Sequence, residues 1–270
     1  MNYGPIIILS ILQGLTEFLP ISSSGHLILA PIIFDFEDPG LALDAILHLG
    51  TLLAIFIFFR KDLSQLFFSL FDRQSDPATR QLAISILLAT IPAGMAGLFG
   101  ADIIERQVRG STFVASNLIV WSAVFFIADR YAAKREHPGN GLKSLGLGQV
   151  MLVGFAQALA LLPGTSRSGI TIAAGLFSNL SHTAAARFSF LLGTPIILAA
   201  GLHALANWWN HPADHLIYNS AQLGVGFCLA FLVGYFSIQL LLKIVARVGL
   251  MPFIIYRVIL AIIILTFYQT

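Results

Sequence analysis

Six uninterrupted apolar runs, at about 42–60, 81–100, 112–131, 184–206, 220–243 and 251–268, are each of a length that can cross a bilayer. A spanning helix needs roughly 20 apolar residues, and inside the hydrocarbon layer the backbone must satisfy its own hydrogen bonds, so these runs commit the chain to helices. The charge content agrees. Only 10% of the 270 residues are charged, against about 25% in soluble domains, too few to coat an ordinary water-exposed surface. The length allows at most about eight to ten membrane segments. The single cysteine, Cys228, excludes an internal disulfide framework and a multi-cysteine metal site, and its apolar surroundings predict a packed residue. The first apolar stretch has no basic flank and contains Gln13, Glu17 and Pro20, so it is expected to belong to the mature fold.

Two further apolar stretches, about 3–33 and 146–178, are broken in the middle by polar turns. The breaks are Pro20-Ile21-Ser22-Ser23-Ser24-Gly25-His26 and Pro163-Gly164-Thr165-Ser166-Arg167-Ser168-Gly169. Proline and glycine end a helix, and serine or threonine caps the start of the next, so each stretch reads as helix, turn, helix. Pro20 and Pro163 are 143 positions apart, as are Leu49-Gly50-Thr51 and Leu192-Gly193-Thr194. The shared offset predicts an internal duplication, repeat 1 at about 1–135 and repeat 2 at about 146–270, each a broken, re-entrant hairpin plus three transmembrane helices. An odd number of spans between the copies inverts the second, the arrangement in which broken helices bring polar turns near the midplane. The expected fold is therefore an all-α, multi-pass membrane protein with an inverted repeat, forming one membrane domain over 1–270.

Charge bias orients it. Threading the spans puts Arg60, Lys61, Arg73, Arg80, Arg130, Lys134, Arg135, Lys143, Arg187, Lys243 and Arg247 on one side. Opposite them stand Arg106 and Arg109, with Asp35, Glu37, Asp38 and Asp214. By the positive-inside rule the first side is cytoplasmic and both termini face out.

Glu17 lies four residues after Gln13 on one helix face, and a carboxylate at membrane depth must be paired or face water. It is either a structural hydrogen-bond partner or a functional group. Arg167 carries a fork of donors suited to phosphate, and flanking Ser166 and Ser168 sit where helix-start N–H groups would point at an anion. Ser22, Ser23 and Ser24 offer three hydroxyls, with His26 about one turn beyond Ser23 as a candidate base. A plain helix cap explains the serines equally well if they are taken alone. Asp44 and His48 share a face and either flank the site or satisfy interhelical bonds. Arg187 is expected to snorkel to the cytoplasmic boundary. Trp208, Trp209, His211 and His215 form an aromatic, interfacial loop without metal-ligand spacing.

These residues resemble the bacterial undecaprenyl-diphosphate phosphatase family, integral membrane proteins linked with bacitracin resistance. The family's (E/Q)-x-x-x-E motif is matched by Gln13-Gly14-Leu15-Thr16-Glu17, and its Pro-x-Ser-Ser-x-Gly-His turn by Pro20 to His26. Its Pro-Gly-x-Ser-Arg-Ser-x-x-Thr motif is matched by Pro163 to Thr171, and the stretches Ile46 to Ala54 and Ala184 to Pro195 are also similar. The resemblance covers essentially the whole chain. It implies hydrolysis of undecaprenyl diphosphate to undecaprenyl phosphate and inorganic phosphate, which recycles the lipid carrier for peptidoglycan synthesis. Carried over by position, Glu17, Ser23, His26 and Arg167 form the catalytic core, with Gln13, Ser22, Ser24, Ser166, Ser168 and Thr171 contacting substrate. The implied location is the bacterial inner membrane, with the site opening to the outer face.

Gln13 at the first motif position leaves a lone carboxylate, so no metal ligands are assigned; magnesium or calcium is the cation that could bridge Glu17 to the diphosphate. The expected partners are the polyprenyl diphosphate and the bilayer, with no nucleic acid, and a homo-oligomer is left open. The rival reading is a secondary transporter or lipid flippase, since inverted repeats with broken helices are characteristic of transporters. Transport needs no nucleophile, and the Ser/His cluster beside an arginine favours hydrolysis. Ser24-Gly25-His26 is also similar to part of the acid-phosphatase-like lipid phosphatase signature. That superfamily's second histidine would fall at position 173, which is Ala, and its Lys-x6-Arg-Pro element does not occur.

Overall fold

The structure is a computed structural model that describes residues 3–37, 40–108, 110–135, 141–142, 145–210 and 218–268. Among them are eleven helices: α1 Gly4–Thr16, α2 Ser23–Phe34, α3 Leu41–Phe58, α4 Arg60–Ser69, α5 Pro77–Gln107, α6 Ser111–Ala133, α7 Leu147–Leu159, α8 Arg167–Phe177, α9 His182–Asn210, α10 Ser220–Val248 and α11 Met251–Phe267. Four segments are long and apolar enough to cross a membrane: Pro77–Gly100, Ser111–Ala133, His182–His203 and Ser220–Val248. A fifth is formed if α3 and α4, bent by 80° at Phe59, count as one span. The protein is a multi-pass helical membrane protein. Both broken stretches are helix–turn–helix, as their punctuation predicts; α1, α2, α7 and α11, the last in the run 251–268, are shorter apolar helices, and α8 has 11 residues.

The packing interleaves the two halves of the chain. α1 lies against α10, α7 against α5, α3 against α9 and α10, and α6 against α11. Small residues permit the closest approaches: the space a Cβ on Gly14 would need is filled by Val233 of α10, and that of Gly154 by Ala89 of α5. Close backbone contact of this kind drives helix association in lipid, where burial of apolar side chains brings little gain. The main core centres on α8, whose residues Ser168 to Leu176 are all buried. Phe18, Phe59 and Phe190 stack edge-on or tilted beside it, with centroids 5.5 and 5.9 Å apart. A helix enclosed on every side sets its own first residue, Arg167, deep in the molecule.

One expectation from the sequence changes. Cys228 is exposed rather than packed, on a face of α10 that also exposes Val225 and Leu232. In lipid the outward face is as apolar as the core, so an apolar run cannot distinguish the two. Arg187 is partly exposed and pairs with Asp62 of α4, its Nη2 2.7 Å from Oδ1. The run at 42–60 turns sharply at Phe59 into α4. Arg109, Asp38, Asp214, Lys143, His211 and His215, and the side chains of Arg106, Trp208 and Trp209, lie outside what the structure describes.

Candidate active site

Each polar turn starts a helix from a serine cap in a rare backbone conformation. Ser22 has φ 76° and ψ 94°, and Ser166 has φ 74° and ψ 106°. Such a conformation costs a non-glycine residue about 1–3 kcal/mol and persists only when its surroundings impose it. Part of the compensation is local. Ser22 Oγ accepts from the N–H of Gly25 at 3.3 Å, and Ser166 Oγ from that of Gly169 at 3.2 Å. The serine pairs Ser22/Ser24 and Ser166/Ser168 have their hydroxyls 3.4 and 3.3 Å apart. The two caps are 144 positions apart, one more than the prolines, because the second turn has an additional residue between proline and cap. In this register Ser23 corresponds to Arg167, while before the prolines the offset stays 143 and Glu17, the C-cap of α1, corresponds to Ala160, the C-cap of α7.

The turns meet at Glu17, which is 6% exposed. Its Oε1 is 2.7 Å from Arg167 Nη2. Its Oε2 accepts from Ser23 Oγ at 2.7 Å and from Gln13 Nε2 at 3.1 Å, and His48 Nε2 lies 3.4 Å away. One carboxylate thus ties α1, α2, α3 and α8 together. A buried ion is tolerated only when its attraction to a partner and its hydrogen bonds offset desolvation, and Glu17 has both. Arg167 lies against Gly193 of α9, where its guanidinium occupies the space of a side chain, and its Nη1 has no hydrogen-bond partner. The glycine of the Leu192-Gly193-Thr194 motif therefore makes room for the arginine.

The remaining candidates divide by exposure. Ser22, Ser166, Ser168 and Thr171 are buried. Ser168 Oγ donates to the Leu19 carbonyl at 3.2 Å, linking one turn to the other. Thr171 Oγ1 is 2.7 Å from both the Arg167 carbonyl and Ser189 Oγ. Ser24 is exposed. The second turn is held from α6 by Asn117, whose Nδ2 donates at 2.8 Å to both the Pro163 carbonyl and Thr165 Oγ1. Gly164, at φ +90°, is pressed to within 2.6 Å of the Val114 carbonyl as measured from an ideal Cβ, so only glycine fits.

His26 is not brought onto Ser23. Its Nδ1 is 2.7 Å from the Ser22 carbonyl and its Nε2 is 2.7 Å from the Tyr256 hydroxyl. A helical histidine can satisfy the carbonyl four residues back, which turns the ring away from the hydroxyl three residues back. The group bonded to the Ser23 hydroxyl is the Glu17 carboxylate instead. Two neighbours of the site, Tyr256 and the fully buried Arg257, did not emerge from the sequence reading. Arg257 had a usable signal, since an arginine inside the apolar run 251–268 is costly unless it is enclosed by partners. Asn117 and Ser189 had none, being ordinary polar residues in helices.

Comparison with known proteins bears on the same residues. The profile of the bacitracin resistance protein BacA family matches residues 6–263. The chain belongs to this family. It is 42% identical over 273 residues to "Undecaprenyl-diphosphatase 2" of Stutzerimonas stutzeri (strain A1501), covering 100% of this chain and 99% of that one. It is 43% identical over 275 residues to "Undecaprenyl-diphosphatase" of Colwellia psychrerythraea (strain 34H / ATCC BAA-681), covering 97% of each chain. The BacA-family match spans both hairpins and all the helices that surround Glu17 and Arg167.

Proposed function

We propose that this chain hydrolyses undecaprenyl diphosphate to undecaprenyl phosphate and inorganic phosphate, recycling the lipid carrier for peptidoglycan synthesis. Its BacA-family relatives bear the name of that activity. The observation that carries a mechanism is one carboxylate, Glu17, bonded at once to Arg167 and to the Ser23 hydroxyl. The diphosphate takes the place of Glu17 at Arg167 Nη2, and the freed carboxylate accepts the proton of Ser23. Ser23 Oγ attacks the terminal phosphorus, the bond to the bridging oxygen breaks, and undecaprenyl phosphate leaves. Water then releases phosphate from the serine. Arg167 stabilises the charge that develops, a contribution of about 100- to 1,000-fold for one well-placed donor group. His26, whose Nδ1 faces the Ser22 carbonyl, is a weaker candidate for nucleophile; its Nε2, on release from the Tyr256 hydroxyl, is assigned the proton of the attacking water. Exposed Ser24 contacts the incoming phosphate, while Ser22, Ser166, Ser168 and Thr171 shape the turns and Gln13 orients Glu17.

The donor set fits a hard cation only in part. Glu17 is the one carboxylate here, and no cluster of three or more His, Cys, Asp or Glu suited to a metal forms among the described residues. A magnesium or calcium ion at Glu17 would rely on the substrate's own phosphates to complete its shell and would there neutralise their charge.

The two halves are inverted repeats in this reading. The matching cap conformations at Ser22 and Ser166 support it, as does the reciprocal packing of α1 on α10 and α7 on α5. The charge bias supports cytoplasmic basic loops and both termini outside, and the family resemblance supports a site open to the outer face of the bacterial inner membrane. The broken hairpins also suit a lipid flippase. Purified protein in detergent separates the two, because flipping has no meaning without a bilayer. Phosphate release from undecaprenyl and farnesyl diphosphates, with and without chelator, is expected to proceed; failure to free phosphate from either would favour transport.

A further inference from the structure

His26 is clamped from two directions by groups of different chemistry. It is 7% exposed. A carbonyl can only accept, so the contact with the Ser22 oxygen places the hydrogen on Nδ1. In the neutral imidazole Nε2 is then the acceptor, and the Tyr256 hydroxyl donates to it at 2.7 Å. The two rings also stack, with centroids 5.7 Å apart and planes 10° from parallel. Tyr256 belongs to α11, 230 residues further along the chain.

Its neighbour fixes where that tyrosine stands. Arg257 is 0% exposed. It donates through Nε to Ser122 Oγ at 3.0 Å and through Nη2 to the carbonyls of Leu118 and Gly164 at 3.2 and 3.0 Å. Its guanidinium also sits 4.8 Å from the centre of the Phe125 ring. Gly164 is in the second polar turn. Two consecutive residues of α11 therefore reach the two turns separately, Tyr256 the first and Arg257 the second.

We infer that Tyr256 is a positioning residue for the phosphatase reaction: its hydroxyl holds His26 in one orientation, while Arg257 sets the second turn in register with it. Nothing in the mechanism above needs Tyr256 to touch substrate. The Ser22 carbonyl fixes the hydrogen on Nδ1, which leaves Nε2 as the proton-transferring nitrogen, and the Tyr256 hydroxyl holds that nitrogen in place before water reaches it. Loss of the hydroxyl leaves the stacked ring but frees the imidazole to turn away from its position.

This inference rests on the proton-transfer role assigned to His26, and a double-mutant cycle separates the two. Tyr256→Phe, His26→Ala and the double variant are assayed for phosphate release from undecaprenyl diphosphate, with melting temperature measured in parallel. Tyr256→Phe is expected to lower kcat about 10-fold, a fraction of a general acid–base contribution, with KM and melting temperature unchanged. The double variant is expected to be no slower than His26→Ala alone, because a residue that acts through His26 has nothing left to position. If His26→Ala is slow but Tyr256→Phe is fully active, or if the two losses multiply, Tyr256 does not act through His26. If His26→Ala itself turns over normally, the role of His26 falls, and the inference with it.

Discussion

The two polar turns have nearly the same backbone and opposite chemistry. Ser22 and Ser166 cap their helices with φ of 76° and 74°, and each accepts from a glycine N–H three residues on. At the next position the first turn has Ser23 and the second Arg167. The C-cap of the helix before the first turn is Glu17, where that of the helix before the second is Ala160. One turn therefore presents a hydroxyl bonded to a carboxylate, the other a guanidinium paired with that same carboxylate. Two caps of matching conformation can build an asymmetric site when they converge and only the residues beside them differ.

Substitutions at the meeting point are expected to break this division most severely. Arg167→Ala removes the cation and leaves Glu17 without its charge partner, so kcat/KM should fall by about 1,000-fold. The fold should lose several kcal/mol, because an unpaired buried charge remains. Glu17→Gln keeps the shape and removes the base, and turnover is expected to drop by about 100- to 10,000-fold. Steady-state phosphate release together with thermal unfolding measures both, and a near-normal rate in either variant would dissolve the proposed roles.

The repeated Leu-Gly-Thr motif sharpens the contrast. A methyl on Gly193 would collide with the Arg167 guanidinium, whereas one on Gly50 would lie 2.6 Å from the Phe227 carbonyl of α10. Gly193→Ala should reduce activity by about 10- to 100-fold through misplacement of the arginine. Gly50→Ala should act on helix packing, at a cost of about 1–3 kcal/mol from overpacking. Equal effects of the two on activity and on melting temperature would show that Gly193 is not reserved for Arg167.

Smaller effects are expected at the edges of the turns. Asn117→Ala strips the second turn of two hydrogen bonds and should destabilise by about 1–3 kcal/mol, with activity recovered at lower temperature. Ser24, exposed and bonded among the described residues to Ser22, should tolerate alanine with melting temperature unchanged and KM raised by about 2-fold, the scale of one exposed hydrogen bond. Any larger change in KM for Ser24→Ala would mark it as a principal phosphate contact.

Much of this was legible in the sequence, for physical reasons that differ by residue. The broken stretches were visible because proline and glycine interrupt apolar runs, and Glu17 and Arg167 because charge is costly in lipid. The positive φ of the cap serines was not visible, since serine caps are usually extended and only tertiary contact imposes the rarer form. The extra residue in the second turn hid the correspondence of Ser23 with Arg167 behind the proline spacing. His26 was assigned to Ser23 by helical proximity alone, and its partner Tyr256 comes from a helix at the far end of the chain. Cys228 was misplaced because hydropathy does not separate a core face from a lipid face.

The division of labour rests most directly on Ser23. Ser23→Ala, checked for retained melting temperature and helical content, should be assayed for phosphate release under single-turnover conditions with undecaprenyl diphosphate. The expected result is substrate binding within about 3-fold of the parent and a chemical step slower by about 1,000-fold, the scale of a lost activated nucleophile. A single-turnover rate close to that of the parent would contradict the assignment of the nucleophile to the first turn.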